Sequence, residues 1–130
     1  MASLVHPDPK VWEPLADVLV RVTLSPDYHR WARAAALTFQ MIYTQPVRYE
    51  YHQLAPPVLL ITGAEDHTVP LGQYASPAQA ARLGDFTALS AAAAKDIPRA
   101  KRVVIPDCGH IPHLEHPSPF LAELLPFLVS

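Results

Sequence analysis

Residues 57–70 have the sequence Pro-Val-Leu-Leu-Ile-Thr-Gly-Ala-Glu-Asp-His-Thr-Val-Pro. Its apolar run, Val58–Ile61, follows a proline and precedes Gly63, a pattern typical of a strand that is buried on both faces. A second buried strand is predicted over Arg102–Ile105, with three apolar residues after the arginine, and is stopped by Pro106. Strands of this composition usually belong to parallel sheets, so the two runs predict an α/β fold.

The residues before the first strand have helical periodicity. A helix is predicted from about residue 9 to residue 22, with Asp8 and a proline at its start. A second helix is predicted after Ser25, because this capping residue is followed by a proline and then an acid. It should stop before Pro46.

Two further helices are predicted downstream. One lies between the strands, through Phe86 to Ile97, after a break at Gly84. The last begins at Ser118, which is again followed by a proline. Because a proline inside a helix removes a hydrogen bond and clashes with the preceding turn, Pro126 is expected to kink this helix or end it early.

Composition excludes several classes of protein. The chain has 130 residues, half of them apolar, 17% charged residues and a net charge of -2, which gives no basic excess for binding nucleic acid. Cys108 is the single cysteine, so an intramolecular disulfide is impossible. No signal peptide or membrane-spanning run is visible. A cytoplasmic protein without a cofactor is the resulting expectation.

A chemically distinctive loop follows each predicted strand. Asp66 lies in Gly63-Ala64-Glu65-Asp66, and His110 ends Asp107-Cys108-Gly109-His110. Together the two loops resemble the acid loop and the histidine loop of the α/β-hydrolase fold superfamily, and the resemblance extends over residues 26–129. It implies that Asp66 is the acid and His110 the base of a catalytic triad, both at the carboxyl ends of parallel strands.

The resemblance also implies a division of the chain. Residues 1–46 would be a cap-like helical segment, and residues 47–130 the C-terminal part of an α/β-hydrolase core. Trp31, Phe39, Met41 and Tyr43 could line an apolar pocket under such a cap, although aromatic residues at helical spacing more often form a core. We predict a core role for them.

The third triad residue is absent from the sequence. A serine nucleophile of this fold lies in the motif G-x-S-x-G, upstream of the acid and the histidine. None of the serines has glycines two residues away on both sides: Ser3, Ser25, Ser76, Ser90, Ser118 and Ser130. The sequence therefore predicts a C-terminal portion of a hydrolase, inactive by itself, and leaves open whether Met1 is the true start.

Other residues in the two loops are alternatives for the acid or the nucleophile. Glu65 is an alternative acid, while His67 is expected to face solvent or line the pocket and Asp107 to form a turn. Cys108 is too close to His110 in sequence to act as its nucleophile, so a packed thiol is expected.

A metal site is a further alternative. His110, His113 and His116, with Glu115, form a cluster, but their spacing does not match the helical zinc motif, and nearby prolines interrupt a helix. We therefore predict no metal, with His113 and His116 as exposed turn residues.

Several functions remain open within these limits. The complete enzyme would hydrolyse a small ester-like or apolar substrate with a serine or aspartate nucleophile, as an esterase, lipase, carbon–carbon hydrolase, epoxide hydrolase or dehalogenase. The alternative is a non-catalytic binding module. Two strands leave an unpaired, apolar sheet edge, so the missing strands are expected from an upstream half or from a second copy in a homodimer.

Overall fold

The computed structural model of the protein describes Val5 and residues 8–129. These residues fall into two compact units: residues 8–49 form the first, and Val5 with residues 50–129 forms the second. Within the described part of the chain, no helix combines the length and the apolarity that crossing a bilayer requires.

The first unit is a pair of helices in contact, α1 (Pro9–Leu24) and α2 (Tyr28–Thr44). The start of α1 is as predicted, because the Asp8 side chain caps it by accepting from the amide of Lys10 at 3.0 Å. The start of α2 differs from the prediction. Ser25 Oγ accepts from the amide of Asp27, which forms a local turn, and the helix begins three residues later than Ser25.

The predicted core role of the aromatic residues in α2 is wrong for this unit. Trp31 is 47% exposed and Phe39 is 37% exposed, and Met41 and Tyr43 are also exposed. The ring of Tyr28 stacks on that of Trp31 with centroids 5.7 Å apart. Two helices alone cannot enclose side chains of this size, so the pair presents an apolar surface.

The second unit contains a two-stranded parallel sheet of β1 (Val58–Gly63) and β2 (Ala100–Ile105). Val58 lies opposite Ala100, and Gly63 lies opposite Ile105. The predicted parallel pair is therefore confirmed, with both strands slightly longer than the apolar runs. A 3-10 helix over Val47–Gln53 precedes β1 and was not predicted.

The connection between the strands contains a short 3-10 turn and two helices, α3 (Pro77–Ala80) and α4 (Phe86–Asp96). Gly84 makes the predicted break, with a φ of +78° that favours glycine. Asp85 then caps α4 by accepting from the amide of Ala88.

A one-turn helix and a longer final helix complete the unit. Helices α5 (Pro112–Glu115) and α6 (Pro117–Leu128) follow β2, and both α4 and α6 contact both strands. The buried apolar residues are Ile97, Ile105 and Cys108. The prediction that β1 is buried on both faces is wrong, because Val58 to Thr62 are only half-buried.

The final helix differs from its prediction at both ends. It begins at Pro117, with His116 at the N-cap, so Ser118 lies inside the first turn and does not cap it. It runs through Pro126 to Leu128 and does not end early. Pro126 is in the last turn. Its missing N–H costs the helix one hydrogen bond there, and the turn still forms.

A polar network joins α4 to both strands. Arg102 Nε donates to Ser90 Oγ at 2.9 Å, and Arg102 Nη2 donates to the carbonyl of Thr87 at 2.8 Å. Ser90 is buried, and its hydroxyl donates to the same Thr87 carbonyl, which leaves the Thr62 hydroxyl to donate to Ser90 Oγ at 3.4 Å. The buried hydroxyl thus satisfies donors from both strands.

We expect Ser90→Ala to lower the free energy of unfolding by about 1–3 kcal/mol, because Arg102 Nε and the Thr62 hydroxyl lose their acceptor. Urea denaturation followed by circular dichroism measures this change. Ser118→Ala, at an exposed position of α6, is the matched control and should change stability by less than about 0.5 kcal/mol. Equal effects of the two substitutions would contradict the role of the network.

Candidate active site

The acid loop begins where β1 ends, and it is held against the end of β2 by main-chain contacts. The amide of Ala64 donates to the Ile105 carbonyl at 2.9 Å, and the amide of Glu65 donates to the Cys108 carbonyl at 2.9 Å. Parallel strands bring their carboxyl ends to the same edge of the sheet, so the loops that follow them meet there.

The approach of the two loops depends on Gly63. A Cβ at this position would lie 2.1 Å from the carbonyl oxygen of Gly109 and 2.2 Å from that of Cys108. Only a residue without a side chain allows the two backbones to come this close.

Asp66 and His110 are brought together at this edge. Asp66 is 5% exposed; its Oδ1 accepts from the Thr68 amide at 2.9 Å, and its Oδ2 lies 3.0 Å from His110 Nδ1. An ionised carboxylate can only accept, so Nδ1 must carry the hydrogen, and Nε2 is the nitrogen left to exchange a proton. The His110 side chain is 41% exposed. This is an oriented imidazole that is accessible to solvent.

The residues predicted to flank the pair lie beside it. Glu65 is exposed, and the carboxylate that contacts His110 is that of Asp66. His67 is also exposed, with Nδ1 3.2 Å from the Gly84 carbonyl, and it lines a cavity of about 450 Å³ next to the acid loop. Asp107 has a φ of 52°, a left-handed conformation that aspartate tolerates in turns.

Cys108 is a packed thiol, as predicted. It is fully buried, and its Sγ donates a long hydrogen bond to the carbonyl of the next residue, Gly109, at 3.8 Å. Burial, with the negative charges of Glu115 and Asp66, raises the pKa of Cys108 from 9.0 to about 11. Because the thiolate is the nucleophilic form, this cysteine does not replace the absent serine.

The raised pKa of Cys108 predicts a loss of stability in alkali. Between pH 9 and about 11 the unfolded chain releases the thiol proton and the folded chain retains it, so the stabilisation is complete below pH 9 and is lost as pH rises through 11. Urea denaturation at a series of pH values should show this decline. Cys108→Ala should flatten it, and an unchanged slope in that variant would contradict the prediction.

The members of the histidine cluster have separate contacts. In the described part of the chain, no three potential metal ligands are brought together as a group. His116 Nε2 donates to the Asp107 carbonyl at 2.9 Å, and the exposed ring of His113 lies 5.7 Å from that of Phe120. His113 and His116 were predicted to be exposed turn residues. This is wrong in part, because His113 is exposed but lies in α5, and His116 is half-buried.

Two important residues have roles that the sequence reasoning missed. The sequence places Gly63 at the end of a strand and the start of the acid loop, and Glu115 in the histidine cluster, without indicating what either residue contacts. Glu115 accepts from the amides of Gly109 and Ile111, on either side of His110, at 3.1 Å each. Pro112 could have indicated the role of Glu115, because a proline favours the start of a helix. One helical turn after His110 brings the Glu115 side chain back to the histidine loop.

Comparison with known proteins agrees with this geometry. Residues 25–117 match the family model for the alpha/beta hydrolase fold. Over 83 residues, which are 64% of this chain and 27% of the relative, the sequence is 31% identical to a pimeloyl-[acyl-carrier protein] methyl ester esterase of Nitrosomonas europaea.

A solved structure gives the same result. A probable hydrolytic enzyme from Pseudomonas aeruginosa PAO1 has a TM-score of 0.70 and 42% identity, and the match covers 73% of this chain and 30% of that one. The match to an esterase from Rhodococcus has a TM-score of 0.46 and 20% identity and covers 97% of this chain and 44% of that one. The chain thus spans less than a third of the length of the first two relatives. By its sequence match, its parallel strands and its two loops, the chain belongs to the α/β-hydrolase fold family.

Proposed function

We propose that this chain supplies the acid and the histidine of an α/β-hydrolase triad, with Asp66 and His110 in those roles, and that the complete enzyme hydrolyses a small ester-like substrate. The observation that carries the proposal is the 3.0 Å contact between the buried Asp66 carboxylate and His110 Nδ1. The nucleophile and the oxyanion-hole amides would come from residues outside these 130.

In this mechanism His110 transfers the proton, and Asp66 orients the imidazole of His110. Nε2 of His110 takes the proton of a serine hydroxyl as the oxygen attacks the ester carbonyl, and it then gives that proton to the leaving alcohol. Water repeats the sequence on the acyl-enzyme, releasing the acid. Asp66 stabilises the imidazolium in both halves and does not itself become protonated. With an aspartate nucleophile, His110 would instead activate the water.

An ester substrate is favoured over the other reactions of this fold by the relatives. The Nitrosomonas protein is named as a methyl ester esterase. The cavity of about 450 Å³ beside the acid loop has a mixed lining, with His67 as well as Val69 and Leu83, so it does not by itself select an apolar group.

We also propose that residues 1–46 act as a cap and residues 47–130 as the C-terminal part of the core. The exposed apolar side chains of α2, among them Trp31 and Phe39, support this assignment, because a cap must offer apolar surface to a substrate.

A hybrid enzyme tests the proposed function. In it, this chain replaces the matching segment of the Pseudomonas hydrolase, which supplies the upstream strands and any nucleophile. We expect hydrolysis of p-nitrophenyl esters by the hybrid, and loss of that activity on His110→Gln, since no other group accepts the nucleophile's proton. A folded, active hybrid that is unaffected by His110→Gln would refute the role of His110.

A second candidate function is binding through the sheet edge. Apolar residues of β1 are only half-buried, and Leu59, Leu60 and Ile61 border a cavity of about 360 Å³. A strand from an upstream half, or from a second copy, would cover them and pair the edge. Light scattering after size-exclusion chromatography distinguishes a homodimer from a monomer, and a stable monomer that does not bind the upstream Pseudomonas segment would remove this candidate.

A further inference from the structure

Glu115 connects the backbone on both sides of His110. Its Oε2 accepts from the amide of Gly109 and its Oε1 accepts from the amide of Ile111, each at 3.1 Å. Oε2 also accepts from the amide of Val5 at 2.8 Å. The side chain is half-buried, and hydrogen bonds to an ionised carboxylate are stronger than neutral ones.

This arrangement restrains the direction of the imidazole. The Ile111 amide belongs to the peptide plane that contains the Cα of His110, and the Gly109 amide belongs to the plane two peptides earlier in the chain. Holding both planes limits the conformations open to the Gly109–His110 segment between them. The remaining support of the ring is small: one hydrogen bond to Asp66 and an edge contact with Phe86 at 6.3 Å between centroids.

The rest of the histidine loop does not hold this geometry by itself. Asp107 has a left-handed φ, and Gly109 has no side chain to pack. Helix α5 is a single turn, whose closing amides donate to the carbonyls of Ile111 and Pro112. Two side chains link this turn back to the residues before His110: the carboxylate of Glu115 accepts from the Gly109 amide, and Nε2 of His116 donates to the Asp107 carbonyl. Glu115 also holds the Ile111 amide, which directly follows His110.

We propose that Glu115 is a positioning residue for His110: its carboxylate, by holding the Gly109 and Ile111 amides, keeps Nδ1 of the imidazole on Asp66. This inference rests on the proposed function, in which the Asp66–His110 pair is the catalytic one. Glu115 itself touches neither substrate nor the reacting atoms.

The diagnostic variant is Glu115→Gln in the 130-residue chain. Glutamine keeps the length of the side chain but has one acceptor oxygen, and its amide nitrogen would face a backbone N–H. Nitrogen NMR of the imidazoles reports the result. In the unmodified protein the neutral His110 should be protonated at Nδ1; in Glu115→Gln that single tautomer should give way to exchange between both tautomers.

Three control variants separate the possible outcomes. Glu123→Gln removes an equivalent charge from α6, where Glu123 pairs with Lys101, and should leave the tautomer unchanged. Ser90→Ala destabilises the same unit without touching the loop and should also leave it unchanged. Asp66→Asn should abolish the Nδ1 preference directly.

These variants also distinguish failure of the inference from failure of the proposed function. If Asp66→Asn leaves the tautomer of His110 unchanged, the catalytic pair itself is refuted. If Asp66→Asn changes the tautomer and Glu115→Gln does not, only the positioning role is refuted.

Amide exchange in the unmodified chain provides a test that does not depend on the folding of Glu115→Gln. The amides of Gly109 and Ile111 should exchange with solvent at least about tenfold more slowly than unbonded loop amides. Exchange of both at the unprotected rate would overturn the proposal.

Discussion

Asp66→Asn should reduce kcat of the hybrid enzyme by about 10⁴-fold, the magnitude seen when the acid of a triad becomes an amide. Asparagine has the same shape as aspartate, so the loop and its contact with the Thr68 amide are retained. The amide nitrogen can take the place of Oδ2, however, and then His110 presents Nδ1 as an acceptor. Nε2 would carry the hydrogen and could not receive the proton of the nucleophile.

Steady-state kinetics with a p-nitrophenyl ester measures this effect. Asp107→Asn is the matched control, because it makes the same change in the histidine loop, at a left-handed φ that asparagine also tolerates. It should change kcat by only a few-fold. If both variants lost activity equally, Asp66 would have no special relation to His110.

Gly63→Ala should lower the free energy of unfolding by about 3 kcal/mol or more. The new Cβ would be placed 2.1 Å from the Gly109 oxygen and 2.2 Å from the Cys108 oxygen. Both obstructing atoms belong to the backbone, so no rotation of a side chain relieves the overlap. The loops must separate, which also lengthens the distance between Asp66 and His110.

Urea denaturation and imidazole NMR measure the two consequences of Gly63→Ala. The control is Gly72→Ala, whose Cβ would meet a side-chain atom of Val69 at 3.2 Å. That atom is the Cβ of Val69, and a movement of Val69 by a few tenths of an ångström accommodates the methyl group, so the expected change in stability is below about 1 kcal/mol. A similar cost at the two glycines would show that the close approach of the loops is not important for stability.

The sequence predicted the parallel strands because they depend on local composition and on chain order, and the resemblance to the α/β-hydrolases identified Asp66 and His110 as a pair. The apolar runs at Val58 and Val103 could form little else, and parallel pairing then brings Asp66 and His110 to one edge. The helix starts were less predictable. Ser25 and Ser118 have capping chemistry, but Ser25 is used in a turn and Ser118 lies inside the first turn of α6.

Exposure was the property that the sequence predicted least well. Periodicity identifies which residues are apolar and does not show whether a neighbouring element covers them. Trp31 and Phe39 have the spacing of a core and are exposed in a two-helix unit. The role of Glu115 could not be predicted for a different reason. It depends on the path of the backbone after His110 and not on any periodic pattern.

The contacts that join the acid loop to the end of β2 are made by main-chain atoms: Ala64 donates to Ile105, and Glu65 donates to Cys108. Any residue except proline, which lacks an N–H, can make these main-chain hydrogen bonds. The exposed side chain of Glu65 can therefore be varied without removing them, whereas that of His67 also contacts the Gly84 carbonyl. We expect two loops joined in this way to keep Asp66 beside His110 while residues of the neighbouring cavity are redesigned.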